Sequence, residues 1–219
     1  MPAPAPVQSA AGASPIPASG ADPVLILASG SGARAALLRA AGVPIEIDPA
    51  ALDEDEIKAD LRRHGVEAGQ VAEQLAQRKA IAVSARHPGR LVLGADQMLV
   101  CAGRWFDKPA DLAAARAQLE MLAGKTHELV TGVSVVRDRV PLWRLSERAR
   151  LTMRALGPEA LDAYLAAAGD DVLGSVGAYR LEGLGAQLFD RIDGDFFTIL
   201  GLPLLPVLAF LRREGILAA

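Results

Sequence analysis

The 219-residue sequence predicts a soluble α/β protein in which helices flank a mixed sheet. Three observations point there. Val24–Ala28 (VLILA) and Leu91–Leu93 are short continuous apolar runs, the pattern of strands buried on both faces. Glu147–Leu156 alternates strictly, with Ala149, Leu151, Met153 and Ala155 on one side and Arg148, Arg150, Thr152 and Arg154 on the other. That is a half-exposed antiparallel strand with a basic, solvated outer face. Between these segments, apolar residues recur at helical spacing.

Residues 1–22 are rich in Ala, Pro and Ser, bury too little to offset chain ordering, and read as a flexible tail ahead of one domain over 23–219. They lack the basic start and apolar centre of a secretion signal. The strand Val24–Ala28 runs into Ser29-Gly30-Ser31-Gly32-Ala33-Arg34, and a helix follows with Leu37, Leu38 and Ala41 on one side. Ser31 is its natural N-cap, Gly42 closes it and Pro44 stops it. A strand, a small polar turn and a helix start together offer free N–H groups to an anion. Arg34 puts a cation where the helix dipole disfavours one, which makes sense if an anion sits between them. The competing reading is an exposed surface arginine. The same residues fit G-x-G-x-x-A, with Glu46 or Asp48 following, which is the dinucleotide-binding fingerprint at relaxed stringency. The acidic residue arrives early, however, and no regular strand–helix alternation follows Asp48.

Asp53-Glu54-Asp55-Glu56 reads as a helix start, or as a source of one oxygen ligand for a divalent metal. Val66–Arg86 forms a helix with Ala72, Ala76 and Val83 on one face, and Lys79 shares that face. Such a lysine either snorkels to the edge or aims into a cleft. The central stretch Arg90–Pro109 follows. There Gly94-Ala95 end the apolar run, Asp96 stands at the strand's tip, Ala102-Gly103 turn the chain, and Trp105-Phe106 return it to Asp107-Lys108-Pro109. A carboxylate brought beside a lysine in this way suits an acid/base next to a phosphate-meeting cation. Alternatively, Asp96 caps a turn and Lys108 lies in water. Asp111 caps a helix carrying Leu112, Ala115, Leu119 and Leu122, and Gly124 ends it. Gly124-Lys125-Thr126 imitates the end of a P-loop, but the required first glycine falls at Leu119 and the segment follows a helix, so that reading is rejected. Thr126–Val136 reads as a strand. Pro158 opens a helix with Leu161, Tyr164, Leu165 and Ala168 inward, Gly174–Asp195 is dense in glycine around Glu182, and a closing helix follows Pro203.

A net charge of −3, with 22% charged and 51% hydrophobic residues, gives no general attraction to nucleic acid or an anionic membrane, so any phosphate ligand needs a local group of cations. Cys101 is the only cysteine, which excludes a disulfide framework and a cysteine-rich zinc site and makes a reducing cytoplasm the expected setting. No apolar run reaches membrane-spanning length.

Taken together, LILASGSGARAALL, LDE at Leu52–Glu54, LAQRKA around Lys79, GADQ at Asp96, DKP at Lys108, GKTHELVTGVSV and VGAYRLEGLGAQLFDRIDGDFFTILGLPL resemble the Maf family. These are septum-formation-inhibitor proteins that act as nucleoside triphosphate pyrophosphatases, and the likeness spans roughly residues 24 to 215. It implies an elongated two-lobed α/β fold with the site in a central cleft, a homodimer and a cytoplasmic location. It also implies hydrolysis between the α and β phosphates with a divalent metal, magnesium or manganese, as part of the removal of surplus or modified nucleotides. The residues it assigns are Asp96 as general base and Lys79, Lys108 and Arg34 as phosphate cations. Ser29 and Ser31 form the cradle, and Glu54 with Asp96 binds metal. Gln97, Thr126, Thr131 and Glu182 lie near the nucleotide. Two departures stand out. The family turn S-x-S-P-R-R keeps only its second arginine here, as Arg34. Gln97 and Glu182 resemble the subfamily associated with 7-methyl-GTP, whereas Ala178-Tyr179 resembles the one associated with dTTP and UTP. The alternative function is a nucleotide-binding regulator of septum formation with little catalysis.

Overall fold

The computed structural model describes residues 25–218; the Ala/Pro-rich segment read above as a tail lies outside them. A seven-stranded mixed sheet runs through the described chain. Strands β1 (Leu25–Leu27), β2 (Ile45–Ile47), β3 (Leu91–Cys101), β4 (Arg104–Phe106), β5 (Thr126–Arg137), β6 (Val140–Met153) and β7 (Phe189–Asp193) lie in the order β2-β1-β3-β5-β6-β7, with β4 also on β3. The β1–β2 and β1–β3 pairs are parallel and the others antiparallel. The helices are α1 (Gly32–Ala40), α2 (Glu54–Arg63), α3 (Ala68–Ser84), α4 (Leu112–Leu122), α5 (Pro158–Ala168), the single turn α6 (Phe196–Ile199) and α7 (Leu204–Arg213).

The expected caps hold. Ser31 accepts the Arg34 N–H at the start of α1, and Asp111 accepts the Ala114 N–H at the start of α4. Pro158 opens α5. The four acids begin α2, with Asp53 capping Glu56 N–H at 3.0 Å.

Strand β3 organises the rest. Successive side chains of a strand point to opposite faces. Val92 and Met98 therefore face α3, whereas Leu91, Leu93 and Ala95 join a core with α1 and α7. Farther along, Leu99 and Cys101 join a second core with α4 and α5. Helix α3 lies directly on the sheet because its Ala72 and Ala76 meet glycines. A Cβ at Gly94 would overlap the Ala76 carbonyl, and one at Gly132 would overlap the Ala72 backbone.

Two expectations change here. Asp96 is not at a strand's tip: β3 continues through Gly94 and Ala95 to Cys101, pairing Asp96 with Gly132. The small residues that looked like the end of a run are instead what lets α3 close on an unbroken strand. The basic row on β6 is solvent-exposed as expected, with Arg148 and Arg150 sharing Glu128 and Arg144, ahead of the row, pairing with Glu73. Strand β6 also starts earlier than the alternating pattern, at Val140, where it completes a hairpin with β5.

Candidate active site

The site forms where β3 lacks a neighbour. Its far edge is held by β5 from Val92 to Val100, whereas its near edge pairs with β1 only at Leu91–Leu93 and with β4 only at Leu99–Cys101. Between these two pairings the near edge faces a cavity of about 550 Å³. That is within the range of small-ligand pockets.

Three elements bring charge to this gap. The side chains of β3 deliver Asp96 toward α3, where Lys79 lies one helical turn past Ala76. The Lys79 ammonium sits 2.7 Å from Asp96 Oδ1 and 2.9 Å from Glu54 Oε2 on α2. All but 6% of Asp96 and 7% of Lys79 is shielded from solvent. Burial drives the Asp96 carboxyl above the usual carboxylate range; Lys79 and Arg34 pull against this without cancelling it, and Glu54 adds to it. Asp96 Oδ2 is buried with no partner among the described residues. A carboxylate with one oxygen fixed by a lysine and the other bare is equipped to take a proton or to meet a cation.

The α1 side supplies the anion cradle. Ser29, Gly30, Ser31 and Ala33 line the cavity, and the first-turn N–H groups of Gly32 and Ala33 have no carbonyl one turn back to bond. Arg34 is not the exposed arginine of the competing reading. It is 9% exposed, and its Nε donates to Gly201 O at 2.8 Å while Nη1 donates to Ser29 Oγ and Ala95 O, each at 2.9 Å. The dipole cost at this position is thus answered by protein acceptors, one of them an edge carbonyl of β3. Nη2 remains uncommitted among the described residues, on the cavity wall.

The other expected residues fall out differently. Lys108 and Glu182 line the cavity, and Glu182 accepts from Arg180 Nε at 2.9 Å. Gln97 also borders it, on the sheet face opposite Asp96. Its amide nitrogen is fixed by Thr131 Oγ1 at 2.9 Å, Thr198 O at 3.0 Å and Ile199 O at 3.2 Å. Thr131 is fully buried beneath Gln97 and donates to Thr198 O, so it orients a cavity residue and does not line the cavity itself. Thr126 is not among the cavity-lining residues: it stands at the far start of β5, its hydroxyl shared with Thr152 at 2.9 Å. The Asp48 of the dinucleotide reading is likewise engaged elsewhere. Arg86 and His87 hydrogen-bond its carboxylate and hold its pKa down at about 2.

Lys58, Asp107 and Arg180 also line the cavity, and the sequence reading did not assign them to it. One signal was available for Lys58: it stands four residues after Glu54 and so shares a helical face with it. Five cations (Arg34, Lys58, Lys79, Lys108, Arg180) and five carboxylates (Glu54, Asp55, Asp96, Asp107, Glu182) border the cavity. Their formal charges cancel. Arg34 and Lys108 have no carboxylate partner among the described residues and can meet a polyphosphate directly, and opened ion pairs or a cation brought with it would balance the remaining charge.

The geometry thus offers a buried acid, a helix-start cradle and several cations around one cavity. A family model described as Maf-like protein matches residues 24–214. The chain belongs to this Maf-like family. A curated relative from Paramagnetospirillum magneticum is 55% identical over 190 residues, 87% of this chain and 98% of the relative, and is named nucleoside triphosphate pyrophosphatase. Relatives of the same name from Granulibacter bethesdensis and Nitrobacter winogradskyi are 50% and 52% identical, over 87% and 91% of this chain and 96% and 97% of their own length. The family match runs unbroken from the α1 cradle to α7, so every part of the cavity wall lies inside it.

Proposed function

We propose that this Maf-like protein is a nucleoside triphosphate pyrophosphatase, cutting between the α and β phosphates to give a nucleoside monophosphate and pyrophosphate. The observation that carries this reading is Asp96: a shielded carboxylate with one bare oxygen, facing a cavity of polyphosphate size. The triphosphate lies against the α1 start, with Arg34, Lys79 and Lys108 meeting its charge. A water hydrogen-bonded to Asp96 gives its proton to the carboxylate as its oxygen bonds to phosphorus. The bridging P–O bond breaks, and pyrophosphate carries away the electron pair. Lys79 stabilises the deprotonated form of Asp96 and faces the developing charge.

A divalent cation fits this donor set. No cluster of three or more potential metal ligands occurs among the described residues, so Glu54 and Asp96 would be the protein's ligands, and phosphate oxygens and water would supply the rest. Magnesium is commonly held in this way, by one or two carboxylates plus substrate phosphates. When bound, it supplies the positive charge that the balanced cavity lacks.

No helix among the described residues is long and apolar enough to cross a membrane. A cytoplasmic setting and a homodimer complete the proposal, and sedimentation velocity tests the second.

The test is turnover of a nucleotide panel with magnesium, including 7-methyl-GTP, dTTP and UTP, with products resolved by chromatography. Monophosphate and pyrophosphate in equal amounts are expected. Release of inorganic phosphate without pyrophosphate would contradict the cleavage position, and tight binding without turnover would favour a regulator.

A further inference from the structure

We propose that Lys58 is a further substrate-binding cation of the cleft, and that Asp107 holds its ammonium in place until phosphate replaces it. The inference rests on the pyrophosphatase reading and adds a residue to it. Lys58 projects from α2 one turn beyond Glu54, from the same face, and both line the cavity. Its Nζ donates to Asp107 Oδ1 at 2.8 Å, closing the gap between α2 and the end of the β3–β4 hairpin.

The two partners are unequally placed. The Lys58 side chain is 19% exposed and that of Asp107 is 62% exposed. The ammonium is drawn into the cleft while the carboxylate stays in water. An ion pair with one partner so open contributes little to stability. It is also easily exchanged, since Asp107 loses little by returning to solvent. Burial works against the charged form of Lys58, yet the Asp107 hydrogen bond and the fields of Asp107, Asp96 and Glu54 outweigh it, so its pKa is raised. The reach of Asp96 and Glu54 to this ammonium places Lys58 in the same electrostatic cluster as the general base. A triphosphate is a better partner than Asp107 because it brings more charge and several oxygens to one ammonium.

The experiment compares Lys58→Met, Lys58→Arg and Asp107→Asn. Calorimetry measures the binding of magnesium pyrophosphate, steady-state turnover of the best nucleotide gives KM and kcat, and urea midpoints report the fold. Lys58→Met is expected to raise the pyrophosphate Kd and the nucleotide KM about tenfold, the scale of one charge-assisted contact. Lys58→Arg should restore most of this. Asp107→Asn breaks the same ion pair from the other side and should lower both constants, because it removes the carboxylate that competes with phosphate for the lysine. Opposite signs for the two neutralising variants are the signature of a ligand cation. Equal weakening by both would make the pair a structural tie and overturn the inference, as would unchanged binding in Lys58→Met. If wild type binds pyrophosphate through Lys58 but turns over no triphosphate, the pyrophosphatase reading fails and the lysine assignment stands. If wild type turns over normally and Lys58→Met binds pyrophosphate normally, only the lysine assignment fails.

Discussion

Replacing Asp96 by asparagine separates chemistry from folding in this protein. The side chain keeps its shape. The amide oxygen can still accept from Lys79, and the amide nitrogen takes the position of Oδ2, which has no partner among the described residues. Lys79 keeps Glu54 at 2.9 Å, so no ammonium is left without a counter-ion. Burial already disfavours the Asp96 carboxylate, so the neutral amide offsets part of the cost of its unpartnered N–H groups, and stability should fall by no more than about 2 kcal/mol. The loss falls on the rate. A positioned general base contributes about 10² to 10⁴-fold, so kcat should fall roughly a thousandfold, or about 4 kcal/mol in the barrier. Pyrophosphate release with magnesium measures the rate, and urea denaturation followed by circular dichroism measures the fold. A variant that keeps more than about a tenth of the wild-type rate would refute the base assignment. So would a loss of stability large enough to account for the lost activity. In wild type, the acid limb of kcat/KM should lie above the ordinary carboxylate range, because the base must be ionised to act and burial holds its proton on to higher pH.

Three further outcomes are expected. Gly132→Ala drives a methyl into the Ala72 backbone and should destabilise the fold by about 3 kcal/mol, read as a lowered urea midpoint; a neutral effect would mean that α3 does not lie on the strand as described. His127 is buried beside Tyr179 and Phe189, and burial lowers its pKa from 6.5 to about 4. The unfolded chain therefore takes up that proton first, and stability should drop by about 3 kcal/mol as pH falls from 6.5 to 4; titration of His127 near 6.5 by NMR would contradict this. Lys108 is exposed and has no ion pair among the described residues, so Lys108→Ala should slow turnover tenfold or more while leaving the urea midpoint unchanged; loss of both together would mark it as structural.

What could be read in the sequence was local chemistry. Ser31, Asp111 and Pro158 announce helix starts within one turn of themselves, and the alternation over Glu147–Leu156 announces its strand, because caps and pleats act between near neighbours. The motifs at Asp96, Lys79 and Lys108 also pointed to residues that line one cavity. What could not be read depends on distant partners. Gly94 and Ala95 look like a strand's end until α3 is laid across them. Thr126 and Thr131 look equivalent on β5, yet one lies at the strand's far start and the other beneath Gln97. Arg34 reads either as facing an anion or as a surface cation, and the acceptor that holds it, Gly201, lies far along the chain. Lys58 and Asp107 are separated by the whole of α3 and β3, so nothing in their neighbourhoods announces the pairing.

The side-to-side alternation of β3 also limits how this enzyme can change. Asp96 and Gln97 are consecutive residues on opposite surfaces of one sheet, and a shift of one position exchanges the surfaces. Deleting a single residue between Leu91 and Gly94 would move Asp96 away from Lys79 and bring the amide of Gln97 to its place, with composition otherwise intact. Apolar substitutions at Leu91, Val92 and Leu93 can be absorbed by repacking, but changes of length cannot. Insertions and deletions tolerated in the connecting loops should thus be lethal to turnover within this run of four residues.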